Sequence, residues 1–258
     1  MISSAGNIQI KEIEKLQKKS RYRKETGTFV VEGRKLVEEA GERILKIFLS
    51  ENYYELHFGE ETFLQNHEYE VVSDKIFKEM ADTATPQGIL AKVKMPKYSL
   101  DDFLEKEEAS YLVLEDVRDP GNLGTMMRTA EGAGITAVIL SKDSVDLFNP
   151  KVVRATMGSI FRVPFIYVED FSAALEKMKK AGIVLYGTHL LGKRNYDCEP
   201  YAKKAAILIG NEANGITDMT AQAADCLVKI PMEGKLESLN AAVAAALMMY
   251  ELFRQKRV

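Results

Sequence analysis

The chain has 258 residues, of which 46% are hydrophobic and 28% are charged, a composition typical of a globular protein with one large or two modest domains. No apolar run reaches the roughly 18 residues that a membrane span needs, and the polar N-terminus lacks the apolar core of a secretory signal, so we expect a cytoplasmic protein with no membrane partner. The net charge of −3 does not by itself indicate a nucleic-acid-binding protein, and neither the two cysteines nor the three histidines have the spacing of a metal site.

The N-terminal segment, residues 1–24, differs from the rest of the chain in charge. Its two acidic residues stand among seven basic ones, which are Lys11, Lys15, Lys18, Lys19, Arg21, Arg23 and Lys24. The spacing of apolar residues predicts a helix over residues 8–16, and the polar stretch 20–27 predicts a loop. A solvated basic helix is the simpler interpretation of the segment. The alternative is a surface whose cations bind phosphates while Tyr22 stacks on a base.

Residues 25–96 alternate short β-rich runs with helical segments and form an α/β unit of a size that can fold alone. The predicted strands cover residues 28–31, 44–49, 69–72 and 88–93, and the predicted helices cover residues 34–41, 53–65 and 74–81. Pro96 and the acidic run that follows it break this pattern, so we place a linker at residues 97–109.

Residues 110–258 alternate strands and helices more regularly. The predicted strands cover residues 111–117, 137–140, 163–168, 183–187, 206–209 and 226–230, and the predicted helices cover residues 122–134, 150–161, 172–181 and 239–254. This alternation predicts an α/β domain with a parallel sheet and helices on both of its faces. The last helix is apolar on almost every side, which fits burial in the core and burial against a second subunit equally well.

Small, polar and turn-forming residues follow two of the predicted strands where each strand ends. One loop begins at Gly210 after the strand at residues 206–209, and another begins at Pro231 after the strand at residues 226–230. Ser238 stands where the last helix begins and is expected to cap it. Because ligands bind at the carboxyl ends of strands in open α/β sheets, the sequence predicts one polar pocket built from two loops and a helix N-terminus.

A third candidate loop follows the strand at residues 111–117 and opens a helix. Its sequence at residues 119–124, DPGNLG, offers backbone N–H groups to an anion but lacks the G-x-G-x-x-G pattern, which argues against a dinucleotide-dependent oxidoreductase. Asn122 and Arg128 are six residues apart and lie within about 120° of one another around the helix. Arg128 is either a structural arginine paired with an acid or a functional cation. Glu212 is either a solvated loop acid or a carboxylate that orients an arginine.

Four motifs, in this order along the chain, give the sequence its resemblance to a known family. They are DPGNLGTMMR at residues 119–128, NPKVVRATMGS at 149–159, LIGNEANGI at 208–216, and IPM at 230–232 followed by SLNAA at 238–242. With these motifs, residues 111–258 resemble the SpoU branch of the SPOUT superfamily, which consists of S-adenosyl-L-methionine-dependent RNA ribose 2′-O-methyltransferases. Residues 28–94, with FVVEG at 29–33, resemble the small α/β RNA-binding domain that many members carry.

The resemblance implies a C-terminal domain with a deep trefoil knot, a rare exception to unknotted folding. It also implies an obligate homodimer with the last helix in the interface and an active site shared between the subunits. S-adenosyl-L-methionine would bind in the knot, in contact with a set of loop residues: Gly187, Thr188, His189, Gly210, Asn211, Ile230, Met232 and Leu239.

The resemblance further implies a catalytic group. Arg128 would polarise or deprotonate the ribose 2′-hydroxyl, although a guanidinium stays protonated in proteins and is an unusual base. Ser238 and Asn240 would hold and tune Arg128, Glu212 would orient the arginine or the pocket, and Asn122 would fix its loop. The N-terminal unit would choose the RNA, with ribosomal RNA preferred over transfer RNA. The alternatives are a non-catalytic RNA-binding protein on the same fold and methylation of a base.

Overall fold

The computed structural model describes residues 1–57, 59, 62–236 and 238–257. It divides into two compact units, of which the first is Met1–Pro96 with Asp146–Phe161 and the second is Lys97–Val145 with Arg162–Val258. Each helix within the described ranges is too short or too polar to span a bilayer.

A four-stranded sheet with helices packed on it forms the first unit. In chain order up to Pro96, its elements are α1 (Ile8–Lys18), α2 (Ser20–Thr26), β1 (Thr28–Glu32), α3 (Arg34–Ala40), β2 (Ile44–Ser50), α4 (Glu51–His57), β3 (Tyr69–Val72), α5 (Asp74–Met80) and β4 (Ile89–Lys94). The strand order is β1-β4-β2-β3, in which β1 and β2 run antiparallel to β4 while β3 runs parallel to β2. Buried side chains of α1 and α5, among them Ile13 and Phe77, form one core cluster with Phe48 of the sheet. The four predicted strands lie within one residue of their expected bounds.

The stretch predicted as a loop at residues 20–27 is instead the helix α2, so that prediction was wrong. The side chain of Arg23 is only 3% exposed and holds the helix in place. Its Nη1 donates to the carbonyl of Leu16 at 2.6 Å and its Nε donates to the carboxylate of Asp146 at 3.0 Å. A buried guanidinium with such partners fixes a segment that has few apolar residues of its own. Arg23 is therefore not available to a phosphate group.

A seven-stranded sheet forms the second unit. From Lys97 onward the elements are α6 (Asp101–Leu104), β5 (Ala109–Leu114), α7 (Pro120–Gly132), β6 (Ala137–Ser141), α8 (Pro150–Ala155, in the first unit), β7 (Phe165–Val168), α9 (Phe171–Lys180), β8 (Val184–Thr188), β9 (Arg194–Asn195), β10 (Lys204–Ile209), α10 (Asp218–Ala223), β11 (Cys226–Lys229) and α11 (Ala241–Lys256). The strand order is β7-β6-β5-β10-β8-β11-β9, and the neighbouring strands are parallel. The predicted parallel α/β sheet is confirmed.

The strand order of the second unit brings the candidate loops together. β10 lies between β5 and β8, and β11 lies on the other side of β8. Because these four strands are parallel, their carboxyl ends meet at one edge of the sheet. The loops that leave this edge begin at Glu115, His189, Gly210 and Ile230.

Two predicted helix boundaries were wrong for local reasons. The helix predicted over residues 150–161 ends at Ala155, because Met157 and Gly158 have positive φ angles of 51° and 91° and interrupt the helical backbone. The expected cap of the last helix, Ser238, is not its N-cap. Asn240 takes that position, and its Oδ1 accepts hydrogen bonds from the backbone of Ala242 at 2.9 Å and of Val243 at 3.3 Å.

Some further predictions differ from the structure or lie partly outside it. The helix predicted over residues 53–65 includes residues 58, 60 and 61, which lie outside the described residues; α4 precedes them and a 3₁₀ turn at Thr62–Asn66 follows them. α6, β9 and α10 were not predicted, since elements of four, two and six residues carry little periodic signal.

Candidate functional site

A cavity of about 270 Å³ lies at the carboxyl ends of β8, β10 and β11. Seven of the eight residues that the family resemblance assigned to the methyl donor line it: Thr188, His189, Gly210, Asn211, Ile230, Met232 and Leu239. The eighth, Gly187, is not among the described residues that line the cavity. Glu212 and Ser238, which were assigned to catalysis, also line it. Leu190, Lys229, Ala241 and Ala244 line it as well and were not predicted, although the first three lie within two residues of a predicted lining residue and Ala244 lies four residues after Asn240.

The loop after β10 forms one wall of the cavity and is closed on itself. The backbone N–H of Asn211 donates to the carbonyl of Gly215 at 3.0 Å, and the N–H of Gly215 donates back to Asn211 at 2.9 Å. The side chain of Asn211 donates to the carbonyl of Asp116 at 2.9 Å. A Cβ atom on Gly210 would lie 1.9 Å from the carbonyl carbon of Gly215, so only glycine fits at this position.

The loop after β8 forms a second wall. The Thr188 hydroxyl donates to the carbonyl of Leu208 at 2.8 Å, and the backbone N–H of His189 donates to the carbonyl of Val228 at 2.9 Å. His189 Nδ1 accepts a hydrogen bond from the backbone of Leu191 at 3.1 Å, so the proton of the neutral ring is on Nε2. His189, which carries this polar N–H group, lines the cavity.

A chain of side-chain hydrogen bonds joins the three motif loops. Glu212 Oε1 accepts from the side-chain amide of Asn122 at 3.1 Å, and Asn122 Oδ1 accepts from the side-chain amide of Asn240 at 2.9 Å. Asn240 in turn caps α11 with its own oxygen, which fixes the orientation of both amides. Glu212 therefore orients Asn122 rather than an arginine among the described residues, and Asn122 connects the motif at residues 208–216 with the motif at residues 238–242.

The carboxylate of Glu212 also receives backbone donors from the loop before α7. The N–H groups of Asp119 and Arg118 lie 2.9 Å and 3.2 Å from its oxygens. Partial burial raises the pKa of Glu212, but the hydrogen bonds from the Asp119 backbone and the Asn122 side chain outweigh it and hold the pKa below its ordinary value.

The depressed pKa of Glu212 predicts a dependence of stability on pH. A carboxyl group whose pKa is lower in the folded protein stabilises it fully above its unfolded pKa of about 4.5, and the contribution disappears as the pH falls through the folded pKa. We therefore expect Glu212→Gln to lower the melting temperature at pH 7 and to make little difference in strong acid. Melting curves of both proteins from pH 7 to pH 3 measure this, and a constant gap at every pH would contradict it.

Arg128 lies on α7, two turns after Asn122, and is exposed. Among the described residues of this chain it has no hydrogen-bond or ion-pair partner. Arg128, Asn122 and Asn240 do not contribute to the lining of the cavity as the structure describes it. The site therefore has two parts, a cavity and, on α7, an unpaired guanidinium that shares its helix with the asparagine link.

Comparisons with known proteins match two families along the chain. The SpoU rRNA Methylase family matches residues 109–250, and the MRM3-like substrate binding domain matches residues 7–91. The 23S rRNA (guanosine(2553)-2'-O)-methyltransferase RlmP of Bacillus subtilis (strain 168) is 36% identical over 253 residues, which are 97% of this chain and 98% of that protein.

Solved structures of methyltransferases match the fold of nearly the whole chain. An AdoMet-bound rRNA methyltransferase from Sinorhizobium meliloti is 32% identical, covers 100% of this chain and 98% of its own, and superposes with a TM-score of 0.86. The SpoU methyltransferase AviRb from Streptomyces viridochromogenes, in complex with AdoMet, is 26% identical with a TM-score of 0.86, over 97% of this chain and 98% of its own. The resemblance inferred from four short motifs is thereby confirmed: the chain belongs to the SpoU rRNA methylase family.

Proposed function

We propose that this protein transfers a methyl group from S-adenosyl-L-methionine to the 2′-hydroxyl of a ribose in ribosomal RNA. The observation that carries the proposal is the hydrogen-bonded link of Glu212, Asn122 and Asn240, which joins three distant motifs beside one cavity. The relatives support the substrate, because RlmP is named for 2′-O-methylation of 23S rRNA. The similar structures from Sinorhizobium meliloti and Streptomyces viridochromogenes, which contain AdoMet, support the donor.

The cavity suits this donor in its chemistry. Ile230, Met232 and Leu239 supply apolar surface for an adenine ring, while Thr188, Asn211 and Ser238 place polar groups around it. Gly210 and Gly215, which lie against each other in one wall, carry no side chains, so a ligand can approach the backbone closely there. When bound, the donor supplies an electrophilic methyl group on a sulfonium.

Arg128 is our candidate for the group that activates the ribose. A 2′-hydroxyl is a weak nucleophile at neutral pH, and a guanidinium keeps its positive charge in proteins. Since Arg128 has no acidic partner among the described residues, its charge is free to draw the ribose hydroxyl and the adjacent phosphate into position. In this proposal Asn240, Asn122 and Glu212 fix the start of α7, and Ser238 lines the adjoining cavity.

We assign RNA selection to residues 25–96 with the basic segment 1–24, methyl transfer to residues 110–258, and the connection to residues 97–109. Six of the seven basic side chains of the segment are exposed, and Arg23 is buried.

We expect replacement of four exposed lysines by glutamine, at Lys11, Lys15, Lys19 and Lys24, to weaken RNA binding and flatten its salt dependence. The slope of log affinity against log salt concentration should change by about 0.7 to 0.9 for each phosphate that the variant no longer neutralises. Filter binding between 50 and 300 mM salt measures the slope, donor affinity serves as the control, and an unchanged slope would refute binding of phosphates by these lysines.

The remaining expectations concern assembly and location. We propose a homodimer through α11, supported by Val243 and Tyr250, which are 48% and 49% exposed on a helix that is apolar over most of its length. Sedimentation equilibrium tests this, since a mass of 28.9 kDa would indicate a monomer. We also propose the trefoil knot, which an experimental electron-density trace through residues 188–232 would test. We also propose a cytoplasmic location, which action on ribosomal RNA supports and which fractionation tests.

A map of ribose methylation in total RNA, from cells with and without this gene, tests the proposed function. We expect one ribosomal 2′-O-methylation to disappear with the gene and to return with the wild-type copy. Loss of a methyl group from transfer RNA, or from a base, would show that the substrate is not a ribose of ribosomal RNA. No change would favour a non-catalytic RNA-binding protein on the same fold.

A further inference from the structure

Glu115 is a buried carboxylate that the proposed function does not use. It follows β5 and is 6% exposed. Its Oε2 accepts the backbone N–H of Thr217 at 2.8 Å, and its Oε1 accepts the hydroxyls of Thr217 and Thr220 at 2.7 Å and 2.8 Å. All three donors are neutral, and Glu115 has no cationic partner in the described part of the chain. A buried charge without a counterion is costly, so its hydrogen bonds must hold these partners firmly.

These bonds hold the exit of the loop at residues 211–217, and the neighbouring residue holds the entrance. The carbonyl of Asp116 accepts the side-chain amide of Asn211 at 2.9 Å. Asp116 has a positive φ of 53°, and Ser141 stabilises this conformation by accepting from its N–H at 2.9 Å and donating to its carboxylate at 2.7 Å. Glu115 and Asp116 therefore fix the two ends of the loop at residues 211–217, which forms one wall of the cavity.

The chemistry requires a carboxylate rather than an amide at position 115. The Thr217 hydroxyl donates to Glu115 while it accepts the N–H of Thr220 at 3.3 Å, and so caps α10. A glutamine could place its oxygen toward the two hydroxyls, but its NH₂ group would then face the N–H of Thr217. Two donors would oppose each other, and a backbone N–H cannot reverse its direction.

We propose that Glu115 is a positioning residue that sets the affinity for the methyl donor by fixing the loop at residues 211–217. The proposal rests on the proposed function, because this loop supplies Asn211 and Glu212 to the cavity. Without the hydrogen bonds to Glu115, the loop keeps its bond between Asn211 and Gly215 but loses its fixed exit at Thr217. The donor then has to order the loop on binding, which lowers its affinity.

Isothermal titration of the full-length protein with S-adenosyl-L-methionine tests the proposal. We expect Glu115→Gln to raise the Kd for the donor about tenfold and to leave the Kd for RNA unchanged. Glu251→Gln is the matched control, because Glu251 is also buried but bonds to Arg254 and Gln255 on α11. Should Glu115→Gln fail to fold, Thr220→Val removes one bond to the same carboxylate and should raise the donor Kd about threefold, with Thr220→Ser restoring the wild-type value.

Donor affinity unchanged in a folded Glu115→Gln protein would overturn the proposal, and so would an equal loss in Glu251→Gln or a parallel loss of RNA affinity. If the wild-type protein itself binds no donor, the proposed function fails instead. Hydrogen exchange at the amides of residues 211–217 then decides on the role of Glu115 alone, since faster exchange in Glu115→Gln supports it and equal exchange refutes it.

Discussion

Arg128→Ala should lose about 10²- to 10³-fold in methyl transfer while it binds S-adenosyl-L-methionine as well as the wild type does. The physical reason is that Arg128 carries an unpaired positive charge and lies outside the lining of the donor cavity, among the residues that the structure describes. Removing it takes away charge stabilisation at the ribose without changing the cavity wall. Single-turnover transfer of a tritiated methyl group, with donor titration on the same preparation, measures both quantities.

Arg257→Ala is a suitable control for this experiment. Arg257 is an exposed arginine at the far end of α11, 17 residues beyond Asn240, where it lies over the ring of Phe253. Its removal should leave transfer near the wild-type rate. Near-wild-type transfer in Arg128→Ala would remove the proposed role, and an equal loss of donor affinity would show that Arg128 acts through the fold instead.

Gly210→Ala should abolish measurable donor binding. The added methyl group would lie 1.9 Å from the carbonyl carbon and 2.1 Å from the carbonyl oxygen of Gly215. Both are backbone atoms of the loop that walls the cavity, so the clash can be relieved only by displacing the loop. The melting temperature should fall as well, because Asn211 and Gly215 would lose their mutual hydrogen bonds.

Gly234→Ala provides the matched control for Gly210→Ala. Gly234 lies in the loop between β11 and α11, and an added Cβ there meets only the backbone nitrogen of Leu236, at 4.0 Å, among the described residues. This variant should keep both stability and donor affinity. A Gly210→Ala protein that titrates with the donor like the wild type would show that the loop does not form the donor site.

The parallel sheet could be predicted because its strands are short apolar runs that end in turn-forming residues. β10 is such a run, with Ala205 to Ile209 buried and Gly210 directly after it. Long-range polar contacts could not be predicted in the same way. The helix α2 depends on the bond from Arg23 to Asp146, which is 123 residues away, and neither residue differs in sequence from an ordinary surface charge.

In the candidate site too, local sequence patterns could be predicted and long-range polar contacts could not. The family motifs pointed to the loops at Gly210, Ile230 and Leu239, because these residue types stand at recognisable spacing. They did not reveal that Glu212 bonds to Asn122, or that Asn240 rather than Ser238 caps α11. Glu115 was missed because its donors lie 102 and 105 residues later, so that it resembles a solvated acid after a strand.

Three loops that are distant in sequence converge beside one cavity, and we propose that this site methylates a ribose. The most direct measurement is transfer from tritiated S-adenosyl-L-methionine to ribosomal RNA by the purified protein, followed by complete digestion to nucleosides. We predict that the label elutes with a 2′-O-methylnucleoside and that the modified linkage resists alkali. Label on a base, or no incorporation by a protein that binds both donor and RNA, would contradict the account.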